Sequence, residues 1–438
     1  MHDQLLAAMV ARAAELCKPL ARLTQQDPSF ADLEALALDI SRAIGAALLA
    51  LATTASTPPV AGPCPACRAA GRDAVVRHRS RTLLTRCGPI TLSRAHRTCR
   101  RCGHTQLPLD VALGLAPGVR MSEALRGLVV EHGGRLSFRD AADLLADSTG
   151  IVLGAETVRT HTEAAGQALR AAEDEAVQTA ARTREPVDAL DPPPGHLTAE
   201  VDGTMVRYLD GWHEAKVGAI GGWTGARLEA VSYVARRATP AEFGAVLGVE
   251  AARRGAWEVV GWTGPVTGRG LAILPETLVL GDGAAWIWTV AAEQFGRRVE
   301  ILDFFHACEH LSTVATASFG ERNDAGRAWA ARMRTTLKEQ GVGPVLAALR
   351  RLRPPTPEAA ETLRVERGYF TKNADRMDYP ALRTAGRPVG SGAVESAAKH
   401  VVQQRMKRAG MRWSDAGGDA MLALCARVAS ERPLLQAA

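Results

Sequence analysis

Apolar residues recur every three to four positions through "MHDQLLAAMVARAAELCK" and again through "QQDPSFADLEALALDISRAIGAALLALA", where Pro-Ser begins the run. That period predicts amphipathic helices over residues 1–57, whose task is packing or self-association. The longest apolar run here, "IGAALLALA", is too short to span a bilayer, and the N-terminus lacks a charged stretch followed by a continuous apolar core. The pattern then shortens: "RTLLTRCGPITLSR" reads as a hairpin turning at Gly88-Pro89. Helical periodicity returns in "MSEALRGLVVEHGG", "SFRDAADLLADSTG" and "AETVRTHTEAAGQALRAAEDEA", and "TREPVDALDPPPG" breaks it at a domain boundary.

Beyond that boundary the texture is strand-like. "GHLTAEVDGTMVRYL", "WHEAKVGAIGG" and "ARLEAVSYVARR" predict three successive strands. A helix from "TPAEFGAVLGVEAARRG" follows, then strand "ETLVLGD", helix "GAAWIWTVAAEQFG", strand "RRVEILD" and another helix. Three strands followed by helix-strand-helix-strand is the order of an RNase H-like α/β sheet. At 438 residues the chain has room for two to four such compact units.

Composition adds a mild basic excess, 53 Lys+Arg against 47 Asp+Glu, which permits nucleic acid without requiring it. The excess is concentrated: residues 64–104 hold ten arginines and one aspartate. The same segment carries Cys64-x-x-Cys67 and Cys99-x-x-Cys102. Two such pairs around a short hairpin with little core predict a tetrahedral thiolate site for a structural Zn²⁺. Cys87 has no partner at that spacing and is read as a packing or exposed thiol. Without a secretion signal, metal is the expected use of these cysteines rather than disulfides, and a cytoplasmic, nucleoid-associated protein is expected. Arg77, Arg79, Arg81, Arg97, Arg100 and Arg101 are the candidate phosphate contacts of this module. The helices after it suit a helix-turn-helix, with Thr157, Arg159, Thr160 and His161 on the early turns of the reading helix, although any three-helix bundle gives the same pattern.

The acids of the strand region fall at meaningful places. Leu197, Ala199 and Val201 alternate on one face of the first strand, placing Glu200 and Asp202 on the other. Asp282 ends the fourth strand between Gly281 and Gly283, small residues that would let a phosphate backbone approach. Glu395 sits in "VGSGAVESAAKHVVQQRMKRAGMRW"; at 100° per residue it shares a helix face with Val402 and Met406, pointing toward the sheet, as does Lys399. Any one of these could merely cap or pair. Together they could bind two Mg²⁺ (or Mn²⁺) ions about 4 Å apart.

"VDGTMV", "GDGAAWIW", "ILDFFHACEHL" and above all "VGSGAVESAAKHVVQQRMKRAGMRW" resemble bacterial insertion-sequence transposases with a DDE catalytic core, most closely the ISKra type. The resemblance spans about residues 196–415. Carried over by position, it implies Asp202, Asp282 and Glu395 as the three acids, and a helical insertion in the interval before Glu395. Within the insertion Trp329 is either a base-stacking residue or, more simply, buried. Asp303-x-x-His306 resembles a pair that follows the fifth strand in related transposases, which implies His306 beside the metals and Asp303 behind it. A separate metal site from Asp303, His306, Cys308 and His310 is disfavoured, because i, i+2 spacing does not share a helix face. Glu309 and His310 read as helix surface.

The expected fold is thus multidomain α+β: a helical N-terminus (1–57), a zinc ribbon (58–112), a helix-turn-helix-like domain (113–185), and an RNase H-like α/β catalytic core (196–310 and 387–438) interrupted by a helical insertion (311–386). The resemblance implies a DNA transposase that binds terminal inverted repeats of double-stranded DNA and cuts and joins them to target DNA as a homodimer or higher oligomer, with no membrane partner. Lys399, Arg405, Lys407, Arg408 and Arg412 would hold the backbone, unless this basic helix end is only a solvated face. The rival readings are a transposase-derived regulatory DNA-binding protein and an RNase H-like nuclease or resolvase.

Overall fold

The computed structural model describes residues 2–25, 27–56, 62–71, 74–183, 190–255 and 276–430 of the chain. These divide into two compact units, Met1–His161 and Thr162–Ala438, the division falling inside one long helix. The boundaries expected at 57 and 185 lie outside the described residues. Within them the protein is mixed α+β with two sheets.

The first unit begins with α1 (His2–Leu23) and α2 (Phe30–Ala55). A capping box starts α2: the Ser29 hydroxyl accepts from the Asp32 amide, and the Asp32 carboxylate accepts from the Ser29 amide. The expectation that no run here could cross a bilayer needs correction. As one continuous helix, α2 carries a window of mean hydropathy 1.7 and is long and apolar enough to cross by length and composition alone. Here its Ala46, Leu49 and Ala50 pack on Leu83, Ile90 and Leu92 of the hairpin.

That hairpin is β1 (Ala74–Thr85) and β2 (Gly88–Cys99), extended by the short β3 (Thr105–Gln106). Its closing pair is Thr85↔Gly88, so the turn is Arg86-Cys87 rather than Gly88-Pro89. The reason is local: Gly88 takes φ 101°, and the Thr85 hydroxyl bridges the turn, donating to the Gly88 carbonyl and accepting from the Cys87 amide. After α3 (Pro108–Ala112) come α4 (Glu123–Arg135), α5 (Phe138–Thr149) and α6 (Ala155–Thr183). Ser122 and Ser137 cap α4 and α5, and Leu125, Val129, Ala141, Leu145, Ile151 and Val158 form the small core they share.

The second unit is built on β4 (His196–Arg207), β5 (Trp212–Trp223), β6 (Leu228–Arg236), β7 (Thr277–Gly281) and β8 (Arg298–Leu302), in the order β6-β5-β4-β7-β8. The first three strands are antiparallel, while β4–β7 and β7–β8 are parallel. Every residue of β7 is buried, which is why "TLVLG" reads as a continuous apolar run rather than an alternation. Helices α7 (Pro240–Arg253), α8 (Ala285–Gln294) and α9 (Phe304–Phe319) connect and follow the strands.

Next come α10 (Asp324–Gln340), α11 (Val342–Arg351), α12 (Pro357–Lys372) and α13 (Tyr379–Thr384). Their Trp329, Leu337, Leu349, Phe370 and Tyr379 belong to the same apolar cluster as Val279, Leu280 and Ile287 under the sheet. Trp329 is therefore a core residue, 7% exposed, and not a base-stacking platform. The chain closes with α14 (Gly392–Ala397), a π-helical turn (Ala398–Gln403), α15 (Gln404–Met406) and α16 (Asp415–Ala429).

Candidate functional site

The two cysteine knuckles close on each other. Cys64 and Cys102 sulfurs lie 3.7 Å apart, as do those of Cys67 and Cys99, and all four fall within 4.8 Å of one another. A tetrahedron of thiolates around Zn²⁺ at about 2.3 Å has edges of about 3.8 Å, so the donor set fits that metal. The knuckle backbone favours thiolate at two of the four: the Cys67 amide lowers the Cys64 thiol to about 6 and the Cys102 amide lowers Cys99, while the crowding sulfurs of Cys67, Cys64 and Cys99 push Cys102 up to about 12. Among the described residues this is the only group of three or more ligand side chains gathered so tightly. Cys87 lies apart, against α2, where a Cβ on Gly45 would stand 3.3 Å from its sulfur.

The carboxylate site starts from strand register. β4 and β7 pair in parallel up to Val201↔Gly281, so Asp202, still within β4 and paired with Val217 of β5, and Asp282, just past the end of β7, are neighbours where that parallel pairing stops. Each spends one oxygen on a backbone amide just after it in the chain. Asp202 Oδ1 accepts from the Gly203 amide at 2.7 Å, and Asp282 Oδ1 from the Ala284 amide at 2.8 Å. Burial pushes the Asp202 carboxyl up to about 6; the charges of Asp282 and Glu395 push the same way and His306 opposes them. Crowded carboxylates, each with a second oxygen bonded to no protein group among the described residues, are the donor chemistry of a hard divalent cation, and these residues fit one.

The glycines flanking Asp282 are required by packing. A Cβ on Gly281 would sit 2.8 Å from Ile287, and one on Gly283, at φ 101°, would meet Leu302 at 2.9 Å and Tyr369 at 3.0 Å. Tyr369 of α12 also donates its hydroxyl to the Asp282 carbonyl at 2.8 Å, and burial keeps that phenol protonated.

Glu395 departs from the inward orientation expected of it. Its side chain is 61% exposed and accepts from Lys399 Nζ at 2.6 Å, with Lys399 itself 59% exposed. Counting at 100° per residue fails here because Ala398–Gln403 is a π turn, which adds a residue to the repeat. Helix α14 nonetheless packs on β4 and β5, and Glu395 bears electrostatically on Asp202.

Two buried carboxylates hold the start of α14. Glu200, 1% exposed, accepts from the Val394 amide at 2.8 Å, and burial pushes it up to about 7. Asp303, 6% exposed, caps α9 by accepting from the His306 amide at 2.7 Å while its other oxygen takes the Ser391 amide and hydroxyl. Asp303 is thus a clamp on the Glu395 segment. Sequence reasoning placed Glu200 opposite the apolar face of its strand but gave it no role. It had no signal for Tyr369, which lies 87 positions from Asp282. His306 is half-exposed, 3.5 Å from Glu309, and His310 is not helix surface: its Nδ1 pairs with Glu366 at 2.6 Å. Cys308 is buried on the core face of α9, so Asp303, His306, Cys308 and His310 form no cluster.

The basic candidates sort by exposure. Arg77, Arg79, Arg100 and Arg101 are exposed, as are Arg159, Lys407, Arg408 and Arg412. Three others are corrections. Arg81 pairs with Asp110, the buried Arg97 donates to the Gly62 carbonyl, and Arg405 is 2% exposed with its guanidinium 5.2 Å from the Trp413 ring. Arg159 also pairs with Glu156.

Residues 65–188 match the model of an uncharacterised protein family, UPF0236. That stretch begins inside the first cysteine knuckle, contains β1–β3 and α3–α6, and ends before β4. A search of curated proteins finds no match to the chain.

Proposed function

We propose that the protein is a DNA transposase of the DDE type: it binds the ends of an insertion sequence, cuts phosphodiester bonds there and joins the freed ends to target DNA. The observation that carries this reading is the placement of Asp202 on β4 and Asp282 just past β7, at the point where these parallel neighbours stop pairing, with the Glu395 helix packed on the same sheet. The strand order β6-β5-β4-β7-β8, antiparallel then parallel, is that of an RNase H-like sheet and supports it.

Asp202 and Asp282 would hold divalent cations, Mg²⁺ or Mn²⁺, through their outer oxygens, with Glu395 joining after leaving Lys399. An exposed ion pair of this kind is worth only about 0–1 kcal/mol, so the release is easy. Bound there, the cations would supply activation of the attacking oxygen and stabilisation of the leaving one. His306 lies in the same electrostatic environment and would orient the scissile phosphate. The exposed Arg77, Arg79, Arg100 and Arg101 beside the zinc-type knuckles, and Lys407, Arg408 and Arg412 beyond Glu395, would neutralise DNA phosphates. Acting on two element ends calls for a dimer or higher oligomer.

One observation favours a second reading. Glu395 is paired with Lys399 rather than turned to the two aspartates, as it would be in a transposase-derived protein that binds DNA without cutting it. The deciding experiment incubates labelled element-end DNA with wild-type protein or Glu395→Gln and Mg²⁺, and follows cleavage, joining and binding. Wild-type cleavage and joining, with a variant that binds but does neither, supports the transposase. Equal binding with no reaction by either protein hands the case to the second reading.

A further inference from the structure

Helix α12 faces α9 across a group of polar side chains of which only His306 has been given a task in the proposed reaction. On α9, His306 and His310 stand one turn apart with ring centroids 5.0 Å from each other. On α12, Glu366 and Tyr369 also stand one turn apart. His310 Nδ1 meets Glu366 Oε2 at 2.6 Å, and its ring lies flat on Tyr369, centroids 3.7 Å apart at 20°. Glu366 is 7% exposed, so its carboxylate is committed to that partner. The Tyr369 hydroxyl ends the chain of contacts on the Asp282 carbonyl at 2.8 Å.

This arrangement acts where the backbone is least constrained by itself. Asp282 is followed by Gly283 at φ 101°, a residue whose torsions are open to many values unless something holds them. The hydrogen bond from Tyr369 fixes the peptide plane between the two residues, and that plane aims the Asp282 carboxylate. The tyrosine ring cannot swing away, because His310 covers one face and Glu366 holds His310.

We propose that Tyr369, seated by the Glu366–His310 pair, is a positioning residue for Asp282, so that the helices inserted between β8 and α14 set the divalent-cation affinity of the carboxylate site. The inference rests on the proposed reading that Asp202 and Asp282 hold such a cation. It assigns the inserted helices a task at the reacting centre in addition to any contact with DNA.

Titration of Mn²⁺ into the zinc-loaded full-length protein, read by loss of the free-ion paramagnetic resonance signal, separates the two levels. Asp282→Asn identifies the ions bound at this site. Tyr369→Phe keeps the ring on His310 and loses only the hydroxyl, so its thermal unfolding should match wild type while Mn²⁺ binding weakens about three- to tenfold, the worth of one hydrogen bond. Glu366→Gln should weaken binding in wild type but add little in the Tyr369→Phe background, since it acts through the same hydroxyl. Unchanged Mn²⁺ affinity in Tyr369→Phe, with binding lost in Asp282→Asn, overturns the positioning role alone. Additive effects of the two changes overturn the part assigned to Glu366. Wild-type protein that binds no Mn²⁺ sensitive to Asp282 overturns the metal reading itself, and this inference with it.

Discussion

Replacing Asp303 with asparagine tests how the Glu395 segment is held. The native carboxylate uses both oxygens: one takes the His306 amide at the start of α9, the other takes the amide and hydroxyl of Ser391. Asparagine keeps the shape and one acceptor but presents an NH₂ donor where the second acceptor was. With its oxygen capping α9, the Ser391 amide loses its partner in a site where the native residue is only 6% exposed. A buried donor left unmade costs about 1–3 kcal/mol, and loss of a charged acceptor sits in the upper half of that range. A cost of about 2–3 kcal/mol raises local opening roughly 30- to 150-fold. Amide hydrogen exchange of peptides covering 389–397 and 303–311 reads it directly. Asp303→Asn should accelerate exchange in the first peptide by that factor, or in the second if the amide flips to satisfy Ser391 instead. Exchange within threefold of wild type in both peptides would refute the clamp.

Four other outcomes follow from the same geometry. Glu200 at about 7 and Asp202 at about 6 both lie above their ordinary values of 4.5 and 3.8, so the folded chain keeps protons that the unfolded chain releases. Their stabilising contribution is complete below about pH 4 and lost as pH rises through 6 to 7, with a slope of up to about 1.4 kcal/mol per pH unit per group; Glu200→Gln should flatten the pH 5–7 part of a denaturant-midpoint profile, and an unaltered slope contradicts the assignment. Stripping metal, or Cys64→Ser, should release one zinc per chain and deprotect the β1–β2 amides to exchange, whereas a hairpin equally protected without metal excludes a structural site. Alanine at Arg77, Arg79 or Arg100 should weaken DNA binding and reduce its salt slope by about 0.9 each. Alanine at the buried Arg97 or Arg405 should instead lower unfolding stability by about 1–3 kcal/mol, and a salt-slope change there without loss of stability would reverse the sorting.

Local pattern was enough for much of this protein. The period of apolar residues located the helices and strands, because each element buries one face and its repeat is written in the chain. The paired cysteines announced their site because ligand spacing within a knuckle is a local property. Asp282 was legible as a strand-end acid and Asp202 as an acid opposite the apolar face of its strand, and parallel register then made them neighbours, Asp202 within β4 and Asp282 just past β7. What local pattern did not carry was side-chain direction and partnership across long intervals. Arg81, Arg97 and Arg405 look like their exposed neighbours in sequence, and only the packing of Asp110, Gly62 and Trp413 around them turns them inward. Glu395 turned outward because a π turn broke the repeat on which its orientation was counted. Glu200, Asp303 and Tyr369 gained their roles from backbone groups 194, 88 and 87 positions away. No periodicity reports such contacts, since they depend on which elements the whole fold lays against each other; tertiary structure decided them.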